Sequence, residues 1–381
     1  MHYCIVSETY PPEINGVALT VQNLEQGLRG RGHRVDLVRP RQSPADLPLP
    51  HETLIGSAQI PRYPGMRMGL PAGRLLKKRW TMDRPDAIYI ATEGPLGWSA
   101  MRAAAALGIP AASGFHTRFD EYMRDYGVGF LQPMALRWMR RFHNTSAATI
   151  VPTCELMEFL VGIGFDRVTH MPRAVDTALF HPGKRDPALR ASWGLGPDDL
   201  AVIHVGRIAA EKNLPLAIRA FRQLQEIRPE AKFIWVGDGP ERAAIARDHP
   251  DFVFCGIQRS EDCARHFASA DLFPFPSHSE TFGNVTLEAM ASGIATVAFR
   301  YGAAREHLKD GLHGASIPGR DEAAFIRAVC RIGVDDPMRS EMGRLAREAI
   351  ARLTPAQVAA DFDGILQHIA RSQPHGHARA A

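Results

Sequence analysis

The sequence lacks the features that mark disulfide-stabilised, secreted or membrane-spanning proteins. Its five cysteines are odd in number, scattered and without a CxxC pair, which favours free thiols in a reducing compartment. The amino terminus has no basic segment ahead of an apolar stretch, and no apolar run approaches the ~18 residues of a membrane-spanning helix. We therefore expect a cytoplasmic protein, one that could still touch the inner face of the cell membrane.

Several catalytic signatures are also missing. The sequence has no GxGxxG after its first apolar segment, no GxxxxGK[ST] and no HExxH, so dehydrogenase, P-loop and zinc-protease interpretations lose their main support. Its histidines show no metal-ligand spacing, and we expect no metal and no cofactor. The net charge of +4 is mild and does not require a nucleic-acid partner.

What the sequence does contain is an alternation of short apolar segments with helical patterns along all 381 residues. Continuous apolar runs suit strands buried on both faces of a parallel sheet, and the intervening lengths suit crossover helices. The twelve predicted strands lie at residues 3–7, 33–39, 87–92, 111–115, 148–153, 168–172, 201–206, 232–237, 252–256, 271–276, 295–299 and 314–318.

This rhythm predicts an α/β protein with two doubly wound domains in series. A Pro- and Gly-rich stretch at residues 173–199 interrupts the alternation and is interpreted as a linker. The domains are placed at residues 1–175 and 176–353, followed by a helix at 354–371 and a frayed tail at 372–381. Ligands of such sheets bind beyond the carboxyl ends of the strands, so residues directly after each strand are the candidates for function.

The stretch SETFGNVTLE, residues 279–288, places two carboxylates on either side of a Phe-Gly-Asn turn. Gly283 and Asn284 fall at a predicted helix start, where backbone N–H groups and the helix dipole favour an anion. Glu280 precedes this start and Glu288 lies in the second turn. Both acids are explained if they accept hydrogen bonds from the hydroxyls of a ribose and a sugar. A capping acid plus a solvated helix acid is an equally good interpretation of this stretch alone.

A second candidate site is GRIAAEKN, residues 206–213, directly after a predicted strand. Arg207 and Lys212 on one loop could clamp a diphosphate with a bidentate fork and a point charge. The alternative is an ordinary salt bridge with Glu211 at a helix start, which would be favoured if the stretch stood alone. Weaker signals come from Gly16, in an Asn-Gly turn before the first long helix, and from His116 after a strand. Gly256 and Ile257 also follow a strand and could present their backbone to a base.

Residues 53–82 carry six basic side chains and no acidic one. Apolar and aromatic residues interleave with them, and a second basic segment follows at residues 136–143. Such a mixture suits adsorption to an anionic membrane, although a solvated basic face is an equally plausible interpretation. The membrane-surface candidates are Arg74, Lys77, Lys78 and Arg79.

Taken together, these stretches resemble the family-4 retaining glycosyltransferases of the GT-B fold, in the branch of mannosyl- and glycolipid glucosyltransferases. The resemblance covers nearly the whole chain. It rests on Asn15-Gly16, FHTRFDEY at 115–122, GRIAAEKN, VGDGP at 236–240 and the E-x7-E pair of Glu280 and Glu288. Thr281 and Asn284 depart from the pattern of many relatives, which leaves the donor undetermined.

The resemblance implies two Rossmann-like domains facing a central cleft, with the final helix returning to the first domain. It further implies that Arg207 and Lys212 hold the donor diphosphate, that Glu280 contacts sugar hydroxyls and that Glu288 contacts the ribose. The implied catalytic residues are His116, Arg207, Lys212 and Glu280. The implied donor-binding residues are Gly16, Gly206, Arg207, Lys212, Gly256, Ile257, Glu280, Phe282, Gly283, Asn284, Val285 and Glu288.

The activity so implied is metal-independent transfer of a mannose- or glucose-type hexose, with retention, from a GDP- or UDP-hexose to a lipid or glycan acceptor. No carboxylate is evidently placed as a covalent nucleophile, so the leaving diphosphate would take the acceptor proton. Two alternatives remain: a sugar-nucleotide epimerase of the same fold, and a non-catalytic basic adaptor at a membrane surface.

Overall fold

The computed structural model describes residues 1–13, 16–59, 67–116, 132–277 and 282–372. The chain divides into two compact units. Unit 1 comprises Met1–Arg173 and the chain from Pro355 onward, and unit 2 comprises Ala174–Thr354. The chain therefore passes between the units twice, once in each direction.

The strands of the described residues include all twelve that the sequence predicts, with ends that differ by at most two residues. Three short strands, β3, β4 and β5, were not predicted. In chain order the strands are β1 His2–Val6, β2 Arg34–Pro40, β3 Glu52–Ile55, β4 Ser57–Gln59, β5 Arg67–Gly69, β6 Ala87–Ile90, β7 Ala111–Gly114, β8 Ala148–Val151, β9 Val168–His170, β10 Ala201–Val205, β11 Lys232–Val236, β12 Val253–Gly256, β13 Leu272–Phe275, β14 Ala295–Phe299 and β15 Gly314–Ile317.

The helices alternate with these strands. They are α1 Gly16–Gly30, α2 Gly73–Met82, α3 Pro95–Leu107, α4 Gln132–His143, α5 Cys154–Gly162, α6 Pro187–Ser192, α7 Leu214–Ile227, α8 Arg242–Asp248, α9 Ser260–Ser269, α10 Asn284–Ala291, α11 Gly302–His307, α12 Glu322–Val334, α13 Asp336–Ile350 and α14 Pro355–Ser372, with 3-10 turns at Pro182–Lys184, Ala210–Lys212 and Pro318–Arg320. Among the described residues, no helix has both the length and the apolar character needed to cross a membrane.

Unit 1 is built on a seven-stranded sheet with the order β3-β2-β1-β6-β7-β8-β9. All of its neighbouring strands are parallel. Because the chain moves outward from β1 in one direction and then resumes at β6 on the other side, the order reverses between β1 and β6. The loops at the carboxyl ends of β1 and β6 therefore flank the crevice in which such sheets bind ligands.

Unit 2 is built on a six-stranded parallel sheet with the order β12-β11-β10-β13-β14-β15. This is the strand order of a doubly wound dinucleotide-type domain, and it reverses between β10 and β13, where Val202 pairs with Leu272. Of the two stretches singled out in the sequence, residues 206–213 directly follow β10, and the described residues of the other, 282–288, follow β13 along the chain. The topology thus brings them to one edge of the sheet.

The elements form where the apolar pattern requires them. All five residues of β10 are buried, as a strand covered on both faces must be. In α7 the buried side chains Leu214, Ala217, Phe221 and Leu224 recur every three or four residues and make one apolar face. This face packs on the sheet, where the Phe221 and Phe233 rings lie 4.9 Å apart between centroids.

The stretch 173–199 corrects the sequence interpretation, because most of it is not a linker. Phe180, Trp193 and Leu195 are buried in the core of unit 2. Arg190 is also buried and donates to the Ser269 carbonyl and, at 3.0 Å, to the Asp271 carboxylate. Prolines and glycines are frequent here because the segment makes short turns around the domain, not because it is mobile.

The last helix, α14, belongs to unit 1, as the resemblance implied. Its Asp363 is 1% exposed and accepts hydrogen bonds from Tyr3 Oη at 2.8 Å, Arg31 Nε at 3.1 Å and His33 Nε2 at 2.9 Å. Burial alone would raise the pKa of this carboxyl, but hydrogen bonds from His33, Tyr3 and Arg31 outweigh it and lower the pKa to about 2. The ionised Asp363 carboxylate therefore links the last helix to residues near the amino terminus.

Candidate functional site

The loop after β10 is held in place by the loop after β11. Gly206 adopts a φ of 146° and lies so close to Gly237 that a Cβ on Gly237 would come within 1.9 Å of the Gly206 carbonyl oxygen. Ile208 donates its N–H to the Asp238 carbonyl at 3.0 Å, and Glu241 donates its N–H to the Ile208 carbonyl at 3.1 Å. The VGDGP stretch therefore supports the GRIAAEKN loop.

Two cations extend from this supported loop. The Arg207 guanidinium lies 3.6 Å from the Glu211 carboxylate, but its side chain is 57% exposed, so the pair is weak. The salt bridge considered as an alternative is present, yet its weakness leaves the guanidinium able to bind an anion. The Lys212 ammonium lies 5.6 Å from the centroid of Phe275, the last residue of β13. Ser277 Oγ donates to the Glu211 carbonyl at 3.3 Å and so ties the β10 and β13 loops together.

The start of α10, the helix that follows β13, provides backbone donors at the same edge of the sheet. Gly283 precedes the helix with a φ of 85°, and in the described part of the chain no side chain caps this end. The N–H groups of Asn284 and Val285 are thus not met by a capping side chain. Phe282 is 4% exposed, and its carbonyl accepts the Ala303 N–H at 2.6 Å, which fixes the approach to the helix. Glu280 and Thr281 lie outside the described residues.

Glu288 lies in the second turn of α10, half-buried. Burial raises the pKa of its carboxyl to about 7. Cys263 on α9 is its neighbour: burial, with a further contribution from the Glu288 charge, raises the pKa of that thiol to about 12. A carboxyl that titrates near neutrality can accept hydrogen bonds from vicinal hydroxyls, and such bonds would favour its ionised form.

The remaining donor-site candidates follow β12. Gly256 has a φ of 67°, and its carbonyl accepts the Gly237 N–H at 2.8 Å, so the β11 and β12 loops are tied together as well. Ile257 is 61% exposed. Gln258 folds back to donate from Nε2 to the Cys255 carbonyl at 2.6 Å. Three consecutive post-strand loops of unit 2 are therefore joined by backbone contacts along one edge of the sheet.

In unit 1, Gly16 is the exposed first residue of α1, and its neighbours Ile14 and Asn15 lie outside the described residues. His116 follows β7 and is 8% exposed. Both of its ring nitrogens have partners: Tyr89 Oη lies 2.7 Å from Nε2, and Arg173 Nη2 donates to Nδ1 at 2.6 Å. Gly114 makes room for this cluster, because a Cβ there would lie 2.2 Å from Tyr89 Oη.

The surroundings of His116 keep its imidazole ring uncharged. Burial lowers the pKa of His116 well below its ordinary value, and the positive charge of Arg173 lowers it further. Burial also lowers the pKa of the Arg173 guanidinium to about 10, so it remains cationic at neutral pH. His143 is itself uncharged, because burial lowers its pKa to about 3.

The sequence analysis missed four residues at the strand ends of unit 1. Tyr89 and Arg173 lie far from His116 in the sequence, and no local pattern links them to it. Glu8 follows β1 and accepts the Leu96 N–H at 2.9 Å. It therefore caps the start of α3, although the two residues are 88 positions apart in the sequence. Glu93 follows β6, is 6% exposed and has a carboxyl oxygen that no described residue hydrogen-bonds. Burial raises the pKa of both acids to about 7. The post-strand position of Glu93 was the signal that could have found it.

The basic surface of α2 is only partly as the sequence predicts. Arg74, Lys77 and Lys78 are exposed, whereas Leu76 and Trp80 are buried on the opposite face of the helix. Arg79 is half-buried and lies 3.9 Å from the Asp36 carboxylate, so its charge is partly directed into unit 1.

The α2 surface is accompanied by aromatic residues of two other helices. Trp138 of α4 is 44% exposed, and its ring lies 5.6 Å from that of Trp98 of α3.

The sequence matches two family models, one for "Glycosyltransferase Family 4" over residues 14–179 and one for "Glycosyl transferases group 1" over residues 199–335. It is 30% identical to a GDP-mannose-dependent alpha-mannosyltransferase of Corynebacterium glutamicum over 97% of this chain and 89% of that one. It is 25% identical to an alpha-monoglucosyldiacylglycerol synthase of Acholeplasma laidlawii over 82% and 84% of the two chains.

Among solved structures, the sucrose-phosphate synthase of Thermosynechococcus elongatus superposes with a TM-score of 0.78 over 98% of this chain and 100% of that one, at 18% identity. This likeness, together with the two doubly wound sheets, confirms the predicted GT-B fold with two Rossmann-like halves.

Proposed function

Because the chain belongs to glycosyltransferase family 4, we propose that it transfers mannose from GDP-mannose, with retention, to a lipid-linked acceptor. That it is a glycosyltransferase follows from the family. The sugar, the nucleotide, the acceptor and the stereochemistry are the proposal. Its main support is the identity of 30% with a GDP-mannose-dependent enzyme over nearly the full length of both chains.

The donor would lie at the edge of unit 2 where β10 and β13 end. Arg207 and Lys212 would bind the two phosphates, and the N–H groups at the start of α10 would bind the same negative charge. Glu288 would accept hydrogen bonds from the ribose hydroxyls. The same role for Glu280 toward the sugar rests on the family resemblance alone. These interactions strengthen as charge accumulates on the leaving diphosphate, so they would lower the barrier as well as hold the donor.

Retention is proposed without a covalent sugar–enzyme intermediate. The acceptor oxygen forms the new bond to the anomeric carbon on the face from which the diphosphate oxygen departs. The acceptor proton moves to that departing oxygen, so no protein base is needed and charges balance. In this scheme two cations and a helix end neutralise the diphosphate, which is why we propose that no metal is required. EDTA should therefore leave the transfer rate unchanged, and a rate restored only by Mg²⁺ or Mn²⁺ would contradict this.

A lipid acceptor is proposed because a relative at 25% identity makes a glucosyl-diacylglycerol, and because unit 1 exposes a basic surface. Arg74, Lys77 and Lys78 stand beside Leu75, which is 49% exposed. Basic residues near an anionic membrane contribute about 1 kcal/mol each, and the apolar side chain can enter the headgroup region.

Vesicle co-sedimentation tests the membrane part of the proposal. Vesicles containing anionic phospholipid should bind the protein, vesicles of zwitterionic lipid should not, and the triple change of Arg74, Lys77 and Lys78 to Gln should abolish the difference. Changing Arg247 on α8, an exposed residue of unit 2 paired with its neighbour Asp248, to Gln is the control. Equal binding to both vesicle types would contradict the proposal.

A panel of nucleotide sugars tests the donor. GDP-mannose should raise the melting temperature most, since a ligand at 100 times its Kd stabilises by about 2.7 kcal/mol. It should also label a lipid extract with mannose in the α configuration, read by NMR. A larger shift with UDP-glucose would reject the proposed donor.

The two alternatives predict different products. An epimerase would convert a nucleotide sugar to its epimer without an acceptor, which chromatography of the sugar product would reveal. A non-catalytic adaptor would show no stabilisation by any nucleotide sugar.

A further inference from the structure

The cluster around His116 determines where its ring proton must be. Arg173 is permanently a hydrogen-bond donor, so the Nδ1 atom that faces it at 2.6 Å must be the acceptor. A neutral imidazole with an accepting Nδ1 carries its proton on Nε2. The Nε2–H group then donates to Tyr89 Oη at 2.7 Å. The hydrogen bonds therefore run in one direction, from Arg173 through His116 to Tyr89.

The surroundings leave this ring little freedom. The Tyr89 side chain is 1% exposed, and the Phe362 ring of α14 packs edge-on against it with centroids 4.9 Å apart. A Cβ on Gly114 would lie 2.5 Å from His116 Nε2, so the backbone of β7 also touches the imidazole. The ring is bounded by β6, β7 and the segment that ends at Arg173.

The charges around the cluster all disfavour an imidazolium. Arg173 is cationic and touches Nδ1 directly. His143 lies 2.9 Å from Ser113 Oγ and is neutral, so it offers no negative charge that would stabilise an imidazolium. Burial, with a smaller contribution from Glu93, raises the pKa of the Tyr89 hydroxyl, so Tyr89 remains protonated. No acidic side chain of the described residues forms an ion pair with His116.

We propose that Arg173 and Tyr89 are positioning residues that hold His116 as a neutral imidazole with its proton on Nε2, so that His116 transfers no proton in the reaction. The kinetic part rests on the glycosyl transfer proposed above, whereas the tautomer does not. The proton of the acceptor hydroxyl then passes to the departing diphosphate oxygen, as the new C–O bond forms and the old one breaks.

The tautomer is tested by NMR of the full-length protein labelled with ¹⁵N-histidine. The His116 resonances, identified by their loss in His116→Gln, should show a protonated Nε2 and an unprotonated Nδ1. They should not change between about pH 5.5 and pH 8.5, although an ordinary histidine titrates near 6.5. Arg173→Met removes the donor to Nδ1, so the Nε2–H tautomer should no longer be fixed and the pKa of His116 should rise toward its ordinary value without reaching it, because the ring stays buried. Arg167→Met is the matched control, because Arg167 is exposed and bonds to the Ser146 carbonyl instead.

The kinetic test uses the same variants. Arg173→Met and Tyr89→Phe should each lower kcat by about 10- to 100-fold with little change in the KM of the donor. Arg173→Lys keeps a donor and should recover part of the loss. The wild-type kcat should not vary with the protonation of His116, whereas in Arg173→Met the pKa of His116 should rise, although burial still keeps it below its ordinary value.

Two results would overturn the proposal. One is a wild-type His116 that titrates between pH 5 and 8 or carries its proton on Nδ1. The other is an unchanged ¹⁵N pattern and unchanged kcat in both Arg173→Met and Tyr89→Phe. If Arg173→Met does not fold, the ¹⁵N spectra and kcat of Tyr89→Phe and Arg173→Lys test the proposal instead. If no nucleotide sugar supports transfer, the proposed function fails, while the NMR spectra still decide whether the ring is locked.

Discussion

The two sheets reverse their strand order in the same way but build different surroundings at the reversal. In unit 2 the reversal carries exposed or half-exposed groups: Arg207 and Lys212 after β10, and after β13 a helix start that no described side chain caps. In unit 1 the characterised groups are buried and bonded to each other, as in the Tyr89–His116–Arg173 cluster.

The difference shows that unit 1 and unit 2 place their charged groups in different environments. The unit 2 edge presents positive charge and N–H donors, and so suits an anion that arrives from solvent. The unit 1 cluster has already paired its polar atoms, and so suits the fixed orientation of a side chain. The unit 2 loops are set by backbone contacts between neighbouring strands, whereas the unit 1 cluster depends on residues contributed by distant parts of the chain.

The largest effect should come from removing a distant contribution to unit 1. Asp363→Ala leaves Arg31, His33 and Tyr3 without their buried acceptor and should cost about 3–5 kcal/mol of stability. Hydrogen exchange read by mass spectrometry should show lost protection in β1 and α1 with little change in unit 2. Asp361→Ala, on the exposed face of the same helix, is the control. Equal loss in both units would show that they do not unfold separately.

The same carboxyl predicts an acid dependence. Its pKa in the folded protein, about 2, is below the ordinary value of 3.8, so its contribution is complete above pH 4 and is lost as pH falls toward 2. The wild-type protein should lose protection in unit 1 across that range. Asp363→Asn should show a smaller change there.

Lys212→Ala tests the charged edge of unit 2. A charge-assisted hydrogen bond contributes about 1.5–3 kcal/mol, so kcat should fall by about 10- to 100-fold, more than KM rises. Lys309→Ala, which removes an exposed lysine ahead of β15, should have no effect. A kcat equal to that of the wild type would remove Lys212 from the proposed mechanism.

Two glycine substitutions test whether the loops of unit 2 and the His116 cluster of unit 1 have independent roles. Gly237→Ala places a methyl group 1.9 Å from the Gly206 carbonyl oxygen and should displace the loop at residues 206–213, which is proposed to bind the phosphates. The Kd of GDP should therefore rise about tenfold. Gly114→Ala instead pushes Tyr89 away from His116 and should lower kcat while the Kd of GDP is unchanged. Calorimetric titration with GDP measures both. A shared effect on GDP affinity would argue against independent roles.

The smallest effect concerns pH. Glu288 titrates near 7, and hydroxyl donors bind its ionised form better, so GDP affinity should rise by up to about tenfold between pH 6 and pH 8. Glu288→Gln should make the affinity independent of pH and close to the low-pH value of the wild type. A wild-type affinity that is flat or falls with pH would exclude a ribose contact by this carboxylate.

The sequence predicts the fold well because strand burial leaves a continuous apolar pattern, and β10 or β14 can be recognised from five residues. The candidate donor-binding residues could be proposed from the sequence for a related reason, and their role stays a prediction. Arg207 and Lys212 lie within one short loop, and the topology places them beside the start of α10 without further information. The short strands β3, β4 and β5 were missed because they carry little apolar patterning.

The His116 cluster of unit 1 could be predicted only in part. His116 was found from its position after a strand, but its partners Tyr89 and Arg173 are 27 and 57 residues away in the sequence. Arg173 was assigned to a linker on composition, which reports the average character of a segment and not one buried side chain. Glu280, the residue that first suggested a sugar ligand, lies outside the described residues, and its role stays a prediction.

The return of the last helix to unit 1 has a consequence for biosynthesis. Tyr3 and the acid that receives its hydroxyl are separated by 360 residues, so the first strand leaves the ribosome long before the helix that completes its surroundings. At about 5–20 residues per second this interval is roughly 20–70 s. Unit 2 is contiguous and can fold during that wait, which makes the amino-terminal half of the chain the part that needs protection by chaperones during translation.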